Sequence, residues 1–138
     1  MLQDPLSGRV EAVIEPINIA VTPQQTGGAG VPHEYVFDFA DAATADYDLV
    51  MTRDFELTDV LVQKRGAAGG AANTVQVKNN ASAITDAMVL NIADTTLARP
   101  LTIDDANGFI LKTRNLRISI VKVGGNAACL VTVKGHFR

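Results

Sequence analysis

Two runs near the C-terminus alternate between apolar and polar residues, and this alternation constrains the fold more than any other feature. In LRISIVKV, one side carries Leu116, Ile118 and Ile120, while Arg117 and Ser119 lie on the other. Successive side chains of a β-strand point to opposite faces, so the pattern predicts a half-buried strand. The run ACLVTVKGHF predicts another, whose apolar side consists of Cys129, Val131, Val133 and Phe137.

Five further runs predict strands: TVQVKN, RVEAVIEPINIAV, EYVFDF, YDLVMTR and FELTDVLVQKR. In TVQVKN, Val75 and Val77 share one face. Pro16 has no N–H to donate, so the first of these strands is expected to lie at a sheet edge or to be broken there. The segment ASAITDAMVLN fits either one helical turn capped by Ser82 or a further strand.

Eight or more short strands with frequent turns, and no long amphipathic helix, predict an all-β fold, an antiparallel β-sandwich with at most one short helical turn. The 138 residues fit one domain, residues 1–138, in which residues 1–9 are expected to form an extended arm.

Three connections carry turn signals. VGGNAA lies between the last two strands and predicts a C-terminal hairpin. In DDANGF, Asn107 and Gly108 suit a type I′ turn between strands LTI and FILK. Residues 22–33, TPQQTGGAGVPH, have glycines between two prolines and predict a mobile loop.

The stretch KRGAAGGAANTVQV is the one place that suggests a phosphate-binding loop. Such a loop requires a helix after the glycines, because helical N–H groups then point at the anion. Here a strand follows the glycines, and Lys64 precedes them. The stretch is therefore predicted to connect two strands.

Candidate chemical groups are few. Four carboxylates, Asp38, Asp41, Asp46 and Asp48, could collect calcium, but Ala43 and Leu49 occupy the glycine and glutamate places of an EF-hand, and a solvated acidic segment is the favoured interpretation. The two histidines and the single cysteine form no recognisable triad or zinc set. We therefore expect no enzyme activity, with no catalytic, cofactor-binding or metal residue assigned and no cofactor.

Partners are limited by charge and hydropathy. The net charge is −3 and the twelve Lys and Arg residues are scattered along the chain, which argues against nucleic acid. No apolar run approaches the ~18 residues of a membrane span, and the N-terminus lacks the pattern of a signal peptide. With 47% hydrophobic residues, the chain either buries its apolar side chains in the core or has an apolar face for subunit contacts.

The segment AITDAMVLNIADTTLARPLTIDDANGFILKTRNLRISIVKVGGNAACLVTVKGHF, residues 83–137, resembles jelly-roll capsid cement proteins that decorate the heads of tailed bacteriophages, such as that of a Bordetella phage. The shared features are a short ITDA segment, a strand, a TIDD turn and a long Arg-containing hairpin that ends at the C-terminus. The resemblance implies a β-sandwich of jelly-roll type. It also implies a structural virion protein that binds the outer surface of the major capsid protein lattice and cements neighbouring capsomers, stabilising the DNA-filled head.

The same resemblance implies a protein made in the host cytoplasm and located on the outer surface of the virion capsid. Its partners would be the major capsid protein and itself, as a homodimer or homotrimer. Contacts are expected from the segment before Val10, from residues 22–33 and from residues 67–73, the segments least constrained by the strand pattern. The alternatives are a carbohydrate- or receptor-binding β-sandwich module, such as a tail-fibre or lectin-like domain, and a small hydrolase on a β-scaffold.

Overall fold

A computed structural model describes residues 12–14, 17–19, 30–41, 43–67 and 72–138. These residues form strands, and no helix occurs among them. The strands are β1 (Ala12–Ile14), β2 (Ile17–Ile19), β3 (Pro32–Phe39), β4 (Ala45–Val50), β5 (Phe55–Lys64), β6 (Thr74–Asn79), β7 (Ser82–Ala83), β8 (Met88–Val89), β9 (Leu97–Ala98), β10 (Phe109–Ile110), β11 (Asn115–Val121) and β12 (Cys129–Phe137).

The strands form two antiparallel sheets that pack on each other as a β-sandwich. In the first sheet the order is β9-β5-β12-β3-β2-β1, and β10 also pairs with β5. In the second sheet the order is β4-β11-β6-β7, and β8 also pairs with β6. The predicted all-β sandwich is confirmed.

Counted from β3, the first strand pairs with the last strand of the chain, and the second pairs with the next to last. Strand β3 pairs with β12 in the first sheet, and β4 pairs with β11 in the second. Strand β5 then pairs with β10 in the first sheet, and β6 pairs with β7 in the second. The chain therefore crosses between the sheets at every connection from β3 to β6 and again between β11 and β12, and strands far apart in sequence become neighbours.

The core follows the predicted alternation. The apolar sides of β11 and β12 are fully buried, as are Val75 and Val77 of β6. The predicted opposite side of β12, including Thr132 and Lys134, is only partly buried. Each buried Val, Leu, Ile or Phe side chain contributes about 1.5–3 kcal/mol relative to exposure, so these faces fix which side of each strand points inward.

The predicted C-terminal hairpin is wrong, since β11 belongs to the second sheet and β12 to the first. Both strands are already bonded along both edges, β11 to β4 and β6, and β12 to β3 and β5. Their apolar faces belong to the one buried core between the two sheets. The segment VGGNAA therefore crosses between the layers.

The predicted type I′ turn at DDANGF is also wrong. The carboxylate of Asp104 accepts hydrogen bonds from the N–H groups of Ala106 (3.0 Å) and Asn107 (3.1 Å). Neither Asn107 nor Gly108 has the positive φ that a type I′ turn requires. Of the expected strand LTI, Ile103 alone pairs, in a bridge with Thr85, and FILK contributes β10, which pairs with β5.

Two open alternatives are decided. The first predicted strand forms β1 and β2, which pair with each other on either side of residues 15–16. Pro16 itself lies outside the described residues. The segment ASAITDAMVLN forms β7 and β8 and no helical turn, and it buries Ile84, Met88 and Leu90.

Candidate functional site

The four carboxylates of the acidic segment are spread over two sheets. Asp38 lies on β3 of the first sheet, whereas Asp46 and Asp48 lie on β4 of the second. Each has a cationic partner, and the pairs are Asp38–Arg65 (3.3 Å), Asp41–Lys122 (2.8 Å), Asp46–Arg117 (3.6 Å) and Asp48–Arg117 (2.8 Å). Among the described residues, no three His, Cys, Asp or Glu side chains lie close enough to hold a metal ion. The carboxylates therefore serve as ion-pair partners in this fold.

Asp41 lies in the connection between β3 and β4 and binds the segment that leads into β12. Its Oδ1 accepts a hydrogen bond from Nζ of Lys122 (2.8 Å) and one from the N–H of Ala127 (2.9 Å). These two bonds, the Lys122 bond foremost, hold the pKa of the Asp41 carboxyl below its ordinary value of 3.8.

The two histidines lie on neighbouring strands but on opposite faces of the first sheet. His33 shares the inward face of β3 with Tyr35, and its ring lies 4.5 Å from the Tyr35 ring and 5.0 Å from that of Phe137. Its Nε2 is buried without a hydrogen-bond partner, and burial lowers its pKa. His136 points outward, 3.4 Å from a carboxylate oxygen of Glu56. The two rings therefore do not converge on one site.

Lys64 and Cys129 face each other in register on β5 and β12, and both are fully buried. The Lys64 ammonium donates to the carbonyl oxygens of Arg65 (3.0 Å) and Ala128 (3.4 Å), so it is directed at backbone and away from solvent. Burial raises the pKa of the Cys129 thiol to about 12. A thiol with this pKa stays protonated at neutral pH and is a poor nucleophile.

The structure describes only parts of the three segments in which contacts are expected. The segment before Val10 lies outside the described residues, as do residues 22–29. Pro32 and His33, expected at the end of a loop, instead begin β3. Asn73, expected in a contact loop, is 1% exposed and bonds the backbone of the β11–β12 connection, so it belongs to the interior.

A shallow groove crosses the outer face of the first sheet. It is lined by the apolar side chains of Leu61, Leu97 and Leu130 and by the charged groups of Glu34 and Lys134, and no aromatic ring lies among its lining residues. Sugar sites favour exposed aromatic rings, so this groove gives no support to the carbohydrate-binding alternative.

The most exposed large apolar side chain in the described residues is Leu101, at 91%. It lies in residues 99–104, which we call the Leu101 loop. The alternation predicts a strand at Leu101, but the N–H groups of Leu101 and Thr102 donate to the Asp86 carboxylate in place of a strand partner. Pro100, which cannot donate to a ladder, is the only sequence signal of this exposure.

The Leu101 loop is held on both sides of its leucine. On one side Arg99 donates to both carboxylate oxygens of Asp59, at 3.1 and 2.8 Å. Directly at the leucine, Oδ1 of Asp86 accepts the N–H of Leu101 (2.8 Å) and of Thr102 (3.0 Å). Beyond it, Ile103 packs against the core. A fully exposed leucine thus sits on a backbone that is already ordered.

Comparison with known proteins finds no matching family model, no matching curated protein and no matching solved structure. The cement-protein resemblance thus remains a hypothesis that rests on turn and strand patterns. In the described part of the chain, no helix has the length and apolar character needed to cross a bilayer.

Proposed function

We propose that this chain is a structural virion protein that binds the outer surface of the major capsid protein lattice and cements neighbouring capsomers. The observation that carries the proposal is the Leu101 loop, which presents a 91% exposed leucine on an ordered backbone. An apolar side chain on a backbone that is ordered before binding loses little conformational entropy on docking.

The strand connectivity supports the same proposal. Pairing from the ends of the chain inward, with alternate pairs in alternate sheets, is the connectivity expected of a jelly roll. This connectivity supports the proposal that the sandwich is of the jelly-roll type, the fold that the cement-protein resemblance implies.

Cementing requires at least two contact patches on a stiff body. Linking two weak contacts makes the second effectively intramolecular, which raises avidity by ~10²–10⁴ without new contacts. Self-association as a homodimer or homotrimer would multiply the patches and match the symmetry of a shell. The paired sheets and the ion pairs across their outer faces supply the stiff body.

Co-sedimentation with expanded capsids tests the proposal. The capsids are assembled from the major capsid protein encoded in the same genome, and the chain is added over a range of concentrations. We expect saturable binding, and Leu101→Asp should weaken it by at least about tenfold, because a carboxylate would be buried at the contact. The matched control is Val121→Asp, since Val121 is also an exposed apolar residue (46%) but lies on the second sheet.

Three outcomes are distinguishable. If the unaltered chain fails to bind capsids, the proposed function is wrong. If Leu101→Asp binds as well as Val121→Asp, the capsid contact lies elsewhere on the molecule. Binding to a glycan array without binding to capsids would favour the carbohydrate-binding alternative.

A further inference from the structure

Four cationic residues lie on segments that come together at one end of the sandwich, where β4 and β12 end and β5 and β11 begin. We call this surface the basic end, and it consists of residues 50–54, 109–114 and 138. Its cations are Arg53, Lys112, Arg114 and Arg138, against the carboxylates of Asp54 and neighbouring Glu56. Cations are therefore in excess here, although the whole chain carries a net charge of −3.

Hydrogen bonds join the three segments directly. The N–H of Met51 donates to the carbonyl of Arg114 (2.8 Å), and the N–H of Thr113 donates to that of Met51 (2.7 Å). The carboxylate of Asp54 accepts the N–H of Lys112 (2.8 Å), and its carbonyl accepts the N–H of Arg138 (3.0 Å). The cations are thus carried on one ordered surface.

The acidic groups at this end are already engaged. Asp54 is bonded to backbone, and Glu56 lies between the side chains of Arg138 and His136. Lys112 and Arg114 are exposed and form no salt bridge with any residue that the structure describes. Their charges are therefore available to a partner.

Apolar and aromatic groups lie among the cations. Val50 is 55% exposed and Leu111 is 44% exposed. The Arg138 guanidinium lies 5.7 Å from the centroid of the Phe109 ring, which is itself 36% exposed. Arginine and aromatic residues are enriched at protein interfaces.

Thr113, which also lies in the basic end, has a strained backbone. Its φ is 75°, a left-handed conformation that is strained for a β-branched residue. Backbone strain of this kind costs of the order of 1–3 kcal/mol and clusters at functional sites. Here the strained residue lies between Lys112 and Arg114.

We propose that the basic end docks onto an acidic, partly apolar surface of a partner protein. This inference deepens the proposed function, since the partner there is a capsid subunit and the basic end supplies a contact patch distinct from the Leu101 loop. Lys112 and Arg114 pair with carboxylates of the partner, while Val50 and Leu111 cover its apolar part. Charge complementarity steers the encounter and sets the register, so binding weakens with added salt.

A protein is favoured over nucleic acid because the patch carries exposed apolar side chains beside its cations. The exposed Val50 and Leu111 gain from contact with apolar protein surface and gain little from contact with phosphates.

Charge reversal tests the inference with a matched control. Lys112→Glu/Arg114→Glu reverses both unpaired cations. Lys78→Glu/Lys134→Glu makes the same change of net charge, with one substitution on each sheet. Amide shifts of the labelled chain are followed by NMR during titration with poly-L-glutamate and, separately, with duplex DNA. The same variants are then co-sedimented with expanded capsids.

We expect poly-L-glutamate to shift amides of residues 50–54, 111–114 and 138. The Lys112/Arg114 variant should lose these shifts and bind capsids at least about tenfold more weakly, while the control variant retains both. Shifts that are absent, or located elsewhere, would overturn the inference whatever the capsids show. DNA that binds this end more tightly than poly-L-glutamate at equal salt would overturn it as well. Localised shifts without capsid binding by the unaltered chain would refute the proposed function and leave the acidic protein surface as the ligand class.

Discussion

At one end of the sandwich, polar side chains hold the connections together, whereas at the other end backbone hydrogen bonds join most of the segments and cationic side chains are exposed. The first, which we call the loop end, consists of residues 40–44, 65–73 and 122–128, insofar as they are described. There, Asn73 accepts hydrogen bonds from the N–H groups of Val123 (2.7 Å) and Gly124 (3.1 Å) and donates to the carbonyl of Gly124 (2.7 Å). Asp41 binds Lys122 and Ala127 in a similar way.

At the basic end, backbone groups mostly satisfy one another, apart from the N–H of Lys112, which donates to the Asp54 carboxylate (2.8 Å), and the side chains of Lys112 and Arg114 form no salt bridge with any described residue. The difference follows from the connections. The described residues of the loop end pair in no ladder, so side chains supply partners for their backbone groups. We infer that substitutions at the loop end cost stability, while those at the basic end cost binding.

The largest expected effect concerns the core that joins the two ends. Val133→Asp should lower the free energy of unfolding by roughly 4 kcal/mol or more, because it places an unpaired carboxylate at a position that is 0% exposed. Thermal melts followed by circular dichroism measure the change. Thr132→Asp, on the outward side of the same strand, is the control and should cost less than about 1 kcal/mol. Equal melting temperatures for the two variants would contradict the assignment of faces on β12.

The second prediction, of intermediate size, compares the stability of a variant at the loop end with that of a variant at the basic end. Asn73→Ala should cost roughly 2–4 kcal/mol, because it leaves the N–H groups of Val123 and Gly124 without partners in a part-buried setting. Arg114→Ala at the basic end should change stability by no more than about 0.5 kcal/mol. Urea denaturation measures both variants. Similar losses of stability in the two variants would contradict the inference that the loop end contributes to stability and the basic end to binding.

The smallest effect is a difference in acid sensitivity. Burial lowers the pKa of His33 from its ordinary value of 6.5, with the charge of Glu34 acting in opposition. The unfolded chain then binds the proton more readily, so the stability contributed by neutral His33 is complete above pH 6.5 and is lost as pH falls through the lowered pKa. At the loop end, Asp41 has a pKa below 3.8, so its contribution persists above pH 3.8 and is lost at lower pH.

Amide hydrogen exchange measured between about pH 7 and pH 4 checks this order. Protection should fall first near His33, Tyr35 and Phe137, while the amides of Val123, Gly124 and Ala127 stay protected. His33→Phe keeps the ring packing without a titrating group and should remove the early loss. Loss of protection near His33 and at the loop end in the same pH window would contradict this prediction.

Sequence reasoning performed well wherever a feature depended on one strand at a time. It placed Leu116, Ile118 and Ile120 on a buried face, and Cys129, Val131 and Val133 on another, as observed. It failed where two segments compete for a partner. The VGGNAA segment has the composition of a hairpin turn, but β11 and β12 each find two other neighbours. In DDANGF, the Asp104 carboxylate bonds the turn and removes the need for positive φ.

The candidate surfaces were less accessible to sequence reasoning. Leu101 sits in an apolar-polar alternation that predicts a strand, and its exposure follows from Asp86, which lies fifteen positions earlier. Lys112 and Arg114 are near each other in sequence, but nothing there places Arg53 and Arg138 beside them. In the sequence, the twelve Lys and Arg residues appear evenly scattered.

The sequence by itself determined that the chain forms strands and which side of each long strand is buried. This is so because alternation with a period of two is set by backbone geometry within a single strand. Only the tertiary structure decided which sheet each strand joins, which leucine is left exposed, and that cations from three separate segments share one end. Those outcomes depend on competition between distant segments for the same hydrogen-bonding edges and the same core, which no local pattern records.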